Sequence, residues 1–330
     1  MNPLPSHRIW MSVDEARALA TSALMSLDFD AEEASIVTDH VVDAALCGYE
    51  YSGLPKLLNL AEHPAMRQPR RALAMLHETP VSARLDGGNN QGMLAMRHAA
   101  DIAIEKARTG GLGVVGIINI WMSGRSAHYV ERIARAGLVG LHTISSRAQV
   151  APPGAARPAI GTNPIAFGFP TTGEPLVVDF GTSALMFTDL MFRERRGELL
   201  PGGLAIDGDG APTRDPSAAR LGAVLSLCGH KGFAIGMAMT ALGVFAGSAD
   251  DPDGAGYLIL AMRPDLLVPL EDFRRDVSAM IQRIKATPRQ PGVDAIRIPS
   301  ERALRERAQR LRDGIVIDRA IYDALQAMAK

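Results

Sequence analysis

Gly111-Leu112-Gly113-Val114-Val115-Gly116 decides how the middle of this chain is read. The six residues spell G-x-G-x-x-G, the glycine pattern of dinucleotide-binding turns. That pattern binds a pyrophosphate only when a strand precedes the glycines and a helix follows them. Here the order is reversed. An amphipathic run over about 92–108, stopped by Gly110-Gly111, reads as a helix. The glycines then enter Val114–Ile118, an apolar β-branched run that reads as a buried strand. An ordinary Rossmann turn is therefore not indicated.

Working outward, Ser12-Val-Asp-Glu15 is a capping box followed by Ala16, Leu19, Ala20 and Ala23 at helical spacing. Asp30-Ala-Glu-Glu33 opens a second helix, which Gly48 ends. The polar-aromatic loop Tyr49–Gly53 leads into a short helix reaching Leu60. Residues 81–85 read as a strand and Asp86–Gly92 as a turn. Gly124–Ala136 reads as a helix, and Leu138–Ile144, Val177–Phe180 and Tyr257–Met262 as strands. A Gly/Pro/Asp-rich excursion covers 197–218, and helices are expected over Pro269–Ala286 and twice in the tail. The middle is thus α/β, whereas both ends are helical and are expected to pack together.

The 330 residues carry Lys+Arg 35 against Asp+Glu 36, a net charge of −1. That balance argues against an electrostatic nucleic-acid binder. The Arg302–Arg312 stretch, with Glu306 one turn from Arg302, reads as a solvated helix face. Cys47 and Cys228 cannot build a disulfide framework or a Cys-based zinc site, which fits a reducing cytosol. The start of the chain lacks the apolar core of a signal peptide, and no apolar run approaches the roughly 20 residues needed to span a membrane. A cytoplasmic location is expected.

Gly229-His230-Lys231-Gly232 stands before a long small-and-apolar run. A glycine-flanked lysine at a helix N-terminus suits a phosphate or carboxylate; the plain alternative is a solvated lysine in a tight loop. Asp179 ends a strand, where open α/β sheets place ligands. Asp189 lies between Leu185-Met186-Phe187 and Leu190-Met191-Phe192, an apolar setting costly for an unpaired carboxylate. His230 has no second ligand at metal-binding spacing, so no metal is expected. His40, His98 and His128 read as core or interface residues, and Cys228 as a small buried one. No G-x-S-x-G elbow is present.

Gly161-Thr-Asn-Pro-Ile-Ala-Phe167, Asp179-Phe-Gly-Thr-Ser183, Asp189, Gly229-His-Lys-Gly232 and Arg297-Ile-Pro-Ser-Glu301 fall in one order along the chain, and Arg312-Asp-Gly-Ile-Val-Ile317 follows. Over nearly its whole length the sequence resembles the type-2 malate/L-lactate dehydrogenases. That family includes ureidoglycolate, sulfolactate and diketogulonate dehydrogenases and cyclic ketimine reductases. The resemblance implies an α/β fold with a mixed sheet that binds NAD or NADP without a Rossmann turn, plus a helical unit formed by both chain ends. It implies a homodimer, with an N-terminal helical, substrate and dimerisation region over 1–110, a cofactor domain over 111–290, and C-terminal helices over 291–330 packing back. Carried over by position, Gly181, Thr182 and Ser183 line the cofactor, His230 and Lys231 touch its phosphates or ribose, and Ser300, Glu301 and Arg302 form a C-terminal contact. Ser123, Gly124 and Arg125 correspond to a glycine-bearing loop whose helix amides suit a diphosphate. Arg125 and Arg302 are the arginines placed to accept a 2′-phosphate, if they are not simply surface residues.

The family usually reads G-x-x-S-H-G-x-x-R after the second helix, its histidine exchanging the proton and its arginine gripping the substrate carboxylate. This chain reads Gly48-Tyr-Glu-Tyr51-Ser52-Gly53-Leu-Pro-Lys56. Ser52 takes the histidine position, Tyr51 the serine position and Lys56 the arginine position, while Asp189 remains. Ile120-Trp121 replaces a further histidine of the glycine-bearing loop. Reducing a ketone creates an alkoxide that needs a proton, which serine cannot supply unaided. Tyr51 or Tyr49 could donate if a cation such as Lys56 lowered its pKa. An imine can arrive already protonated. Lys56 can hold a carboxylate as a point charge without the arginine fork. The expected activity is NAD(P)-dependent hydride transfer to or from a small 2-oxo or 2-hydroxy acid or cyclic imino acid. The rivals are a dinucleotide-binding relative without dehydrogenase chemistry and an enzyme repurposed for an unusual substrate.

Overall fold

The computed structural model describes residues 7–248 and 254–330; residues 1–6, read above for a leader, lie outside them. Its main sheet has seven strands, labelled here β1 (Ala74–Glu78), β2 (Ser82–Gln91), β3 (Leu112–Trp121), β4 (Val139–Ser145), β5 (Ile165–Phe169), β6 (Leu176–Phe180) and β7 (Gly256–Met262), in the order β1-β2-β3-β7-β4-β5-β6. β2 and β3 are parallel and every other neighbour is antiparallel, so the sheet is mixed as expected. β2, β3, β4 and β6 therefore end at the same edge. The expected boundary at 110 falls inside this unit, since β2 pairs with β3 across it.

The three glycines of the opening motif each have a structural cause. Gly111 adopts φ +83° and caps helix Gly92–Gly110 by donating its N–H to the Ala107 carbonyl. A Cβ on Gly113 would lie 2.0 Å from the Ala103 carbonyl oxygen, and one on Gly116 2.9 Å from that of Ala246. The motif thus lets a helix approach each face of β3 closely. On one face, Ala95, Ala99, Ala103 and Ala107 form a small-residue ridge against Val115, Ile117 and Ile259, all buried.

On the other face lies helix His230–Gly243, seated through Gly232, Gly236 and Gly243. Asn163 clamps it: its amide nitrogen donates to the Gly236 carbonyl (3.0 Å) and the Thr240 hydroxyl (2.9 Å). The Gly161-Thr-Asn-Pro motif is therefore an architectural clamp. One expectation needs correction here. His230–Ser248 is a 19-residue helical stretch long and apolar enough to cross a membrane. Thr240 and the glycines interrupt the apolar residues in the sequence, but helical continuity joins them. In the structure this stretch lies on the sheet, with Ile235, Met237, Val244 and Phe245 exposed on its outer side.

Asp86–Gln91, expected as a turn, belongs to β2, where the register to β3 shifts between Asp86 and Asn90. Gly88 and Asn89 take φ near +60°, which these residue types tolerate inside a bulge. The 197–218 excursion contributes Ala205–Ile206 and Pro212–Thr213 to a four-stranded sheet with Val150–Ala151 and Ala223–Leu225.

The chain ends meet: Arg8–Met11 pairs antiparallel with Ile315–Asp318. Helices Val13–Met25, Ala31–Leu46 and Pro55–Glu62 share a core with Arg319–Met328, through Leu24, Leu54, Leu57, Leu60 and Leu325, all fully buried. Each such side chain contributes roughly 1.5–3 kcal/mol by leaving water.

Candidate active site

A cavity of about 1530 Å³ opens where β3, β4 and β6 end, bounded on its other side by Tyr49–Glu62 of the helical unit. Its volume exceeds the ~300–1,000 Å³ of a typical small-molecule site.

Helix Pro55–Glu62 begins with proline at its first position, a residue whose fixed φ suits a helix start. Its leucines face the core, and Lys56, Asn59 and then His63 fall at i, i+3 and i+7 on the cavity side. Lys56 is only 4% exposed, and among the described residues it forms neither a hydrogen bond nor an ion pair. Burial pushes its ammonium down to about 8. The Asn59 carbonyl oxygen accepts from Arg195 at 3.0 Å.

Ser52 and Tyr51 lie in a single 3₁₀ turn, Glu50–Ser52, and both line the cavity. The condition set for Tyr51 as a donor, a phenol lowered by a nearby cation, is not met. Burial, with Asp189, Asp179 and Tyr49 adding to it, pushes the phenol up to about 12. Asp189 sits on helix Phe187–Arg196, paired with Arg193 one turn on (3.3 Å). It is outside the cavity lining but close enough to act on Tyr51. Burial raises its carboxyl, although Arg193 opposes the shift.

Ser123, Gly124 and Arg125 also line the cavity. Of the Ser123–Arg125 amides expected to seat a diphosphate, that of Arg125 is engaged elsewhere, as is the following Ala127 amide. The Arg125 N–H donates to His40 Nε2 (2.8 Å), and the Ala127 N–H donates to the Asp179 carboxylate (2.8 Å). Gly124 is needed here, since a Cβ would lie 2.2 Å from His40 Nε2. The Arg125 side chain pairs with Asp43 (3.0 Å) and lies 5.0 Å from the Tyr49 ring centre. His40 is buried and its charged form is strongly disfavoured by burial, as expected of a core histidine. The Ser126 hydroxyl is buried, has no partner and belongs to a lining residue.

Gly181 lines the cavity, but Thr182 and Ser183 turn away, their hydroxyls donating to the Thr162 and Leu185 carbonyls. His230 and Lys231 are exposed on the first turn of their helix and do not line the cavity of this single chain. Neither do Ser300, Glu301 and Arg302: Glu301 pairs with Lys285, and Arg302 pairs with Glu306 and lies over the Tyr49 ring at 5.0 Å. Sequence reasoning missed His63 and Arg147, both lining residues. His63 stacks on Trp121 with centroids 4.6 Å apart and 7° between planes, and its Nδ1 accepts from the Ala65 N–H (3.2 Å). Arg147 follows β4, exposed and without an ion-pair partner among the described residues. The i, i+3, i+7 spacing of Lys56, Asn59 and His63 was the available signal for His63.

A mixed sheet whose ligand cavity lies outside the ends of its strands, roofed by a separate helical unit, defines an α/β enzyme. The sequence pattern of the malate/L-lactate dehydrogenase family matches residues 11–326, and the chain belongs to that family. It is similar to the malate/(S)-sulfolactate dehydrogenase of Methanothermus fervidus, 29% identical over 97% of both chains. It is 32% identical to the Δ1-pyrroline-2-carboxylate/Δ1-piperideine-2-carboxylate reductase of Pseudomonas aeruginosa, over 97% of this chain and 99% of that one. In structure it resembles the malate dehydrogenase of Pyrococcus horikoshii, with TM-score 0.87 and 25% identity over 100% of this chain and 97% of the other. The chain is an oxidoreductase, and dehydrogenases of this kind use a nicotinamide cofactor.

Proposed function

We propose that this chain transfers a hydride between NAD or NADP and a small 2-oxo or 2-hydroxy acid, or a cyclic imino acid. The observation that carries this reading is Lys56, a buried cation without a partner among the described residues, in a cavity larger than a small acid requires. A buried charge is costly unless it is paired or awaits an anionic ligand. A carboxylate supplies that anion. The exposed Arg147 guanidinium at the rim adds a second positive group, capable of a bidentate grip.

The residues fit a nicotinamide cofactor in part. The unpartnered Ser126 hydroxyl, together with Ser123, Gly124, Arg125 and Gly181, offers polar and close-approach positions at the strand ends. When bound, the cofactor supplies or accepts the hydride pair. Tyr51, held protonated by its surroundings, can donate a hydrogen bond to a carbonyl oxygen. Ser52 stands where the family's histidine is expected, with an adjacent hydroxyl. A homodimer would cover the outer face of helix His230–Gly243 and bring its exposed His230 and Lys231 toward a neighbouring chain.

The experiment is direct binding of NADH and NADPH by fluorescence, followed by absorbance assays with pyruvate, oxaloacetate, 2-oxoglutarate and the two five- and six-membered cyclic imino acids. Turnover with at least one is expected. Tight cofactor binding without turnover on any would instead favour a dinucleotide-binding relative that has lost the chemistry. Sedimentation of the wild type and of Phe245→Glu checks the dimer: the variant should shift toward monomer.

A further inference from the structure

We propose that Lys56 is the acid–base group of the reaction, delivering the proton in reduction and taking it back in oxidation. This rests on the hydride-transfer reading above and assigns the role that reading left open.

The argument begins with what the cavity offers. The Ser52 hydroxyl has no hydrogen-bonded base among the described residues, and His40 of the second helix is buried with its Nε2 committed to the Arg125 N–H. Tyr51 holds its proton too tightly to release it near neutrality. His63 accepts a backbone N–H at Nδ1, and burial, with the Arg147 charge adding to it, disfavours its protonated form. Lys56 remains. This residue lines the cavity, is more than nine-tenths buried and has no hydrogen-bond or ion-pair partner among the described residues. Desolvation holds it near 8, so it is charged at neutral pH yet ready to lose a proton.

The groups around it leave that balance undisturbed. Tyr49 and Tyr51 come from the 3₁₀ turn, His40 from helix Ala31–Leu46, and Glu62 and His63 from its own helix and cap. Arg125 follows β3, Arg147 follows β4, Asp179 ends β6, and Asp189 and Arg195 lie on helix Phe187–Arg196. Asp179 is bound to the Ala127 amide, Asp189 to Arg193, and Glu62 to Arg195, so no carboxylate holds the ammonium charged. An arginine at this position could grip a carboxylate but could not release a proton. With lysine at 56, Arg147 and Arg84 are the cavity-lining guanidiniums without an ion-pair partner among the described residues, and either can grip the carboxylate.

The step balances. The hydride forms a C–H bond at the carbonyl or imine carbon, and the π pair moves to oxygen or nitrogen. A Lys56 N–H bond breaks as the new O–H or N–H bond forms, leaving a neutral amine that solvent reprotonates. Oxidation runs the same sequence backwards.

The test compares wild type, Lys56→Arg and Lys56→Ala over pH 6–10 with the substrate found in the screen. Wild-type kcat/KM for reduction should fall above pH about 8. Lys56→Arg should lose about 100-fold or more while still binding oxalate. Lys56→Ala should regain turnover with added primary alkylamines, faster or slower according to the amine's pKa. Lys56→Arg within about threefold of wild type, with the same pH break, overturns the proposal alone and makes the lysine a carboxylate clamp. Absence of any wild-type turnover overturns the hydride-transfer reading, and this proposal with it. If the variants do not fold, carbon NMR of the wild type's five lysines decides. One lysine titrating near 8 supports the assignment, and five at ordinary values overturn it.

Discussion

Two sets of buried charge meet the cavity, one through Arg125 and the other through Lys56, and they are built in opposite ways. In the first, Asp43, Arg125, His128, Glu131 and Arg307 satisfy one another. Arg307 grips both Glu131 oxygens at 2.6 Å and Asp43 at 2.9 Å, and Arg125 meets Asp43 from the other side at 3.0 Å. Burial would raise the Asp43 carboxyl, but His128, Arg125 and Arg307 outweigh it and hold the group down to about 2. In the second group Lys56 has no hydrogen-bond or ion-pair partner among the described residues. The paired set ties the C-terminal helix Glu301–Asp313 to the helices beneath the cavity, and so serves the fold. The lysine has no ion pair among the described residues to offset its burial, which is the mark of a group kept for a ligand.

This contrast can be broken at several points. Arg307→Met leaves Glu131 and Asp43 short of a buried partner and should cost about 3 kcal/mol in urea unfolding at pH 7. A loss below about 1 kcal/mol would mean the network is ornamental. Asp43→Asn should cost about 2 kcal/mol at pH 7. Because the folded pKa is depressed, wild-type stability from this group is full above about 4 and is lost as pH falls toward about 2. The difference between variant and wild type should shrink over that window, and a difference that persists at pH 2 would contradict the assignment. Arg302→Ala, at a partly exposed pair with Glu306 and over Tyr49, should change stability by less than about 1 kcal/mol. A larger loss would mean that the paired set extends to the Tyr49 loop.

Much of this was legible in the sequence, for identifiable reasons. Helix starts at Ser12 and Asp30 were readable because both capping boxes form as written. The helix-then-strand order around Gly111–Gly116 was readable because an amphipathic run stops at the glycines and a continuous apolar β-branched run follows them; the mixed sheet was implied by the family resemblance. The β2 bulge was not legible: Asp86–Gln91 has turn composition, and only pairing to β3 keeps it extended. Motif residues also proved weak guides to individual contacts. Asn163 holds a helix, and Thr182 and Ser183 spend their hydroxyls on backbone carbonyls. His230 and Lys231 face outward, because one chain alone does not cover their helix. The direction of the Tyr51 pKa was not legible, because burial, invisible in sequence, outweighs nearby positive charge.

The most direct measurement is urea unfolding of Lys56→Met beside wild type from pH 6 to 11. Lys56 has a folded pKa below its unfolded one, so its burial costs stability wherever it is charged in both states. That cost is full below pH about 8, shrinks as pH rises toward 10.5, and is gone above it. Lys56→Met should therefore be more stable than wild type by about 1–3 kcal/mol at pH 7, with the advantage fading over that window. A variant less stable than wild type at pH 7, as Arg307→Met is expected to be, would show that Lys56 supports the fold and would contradict the account.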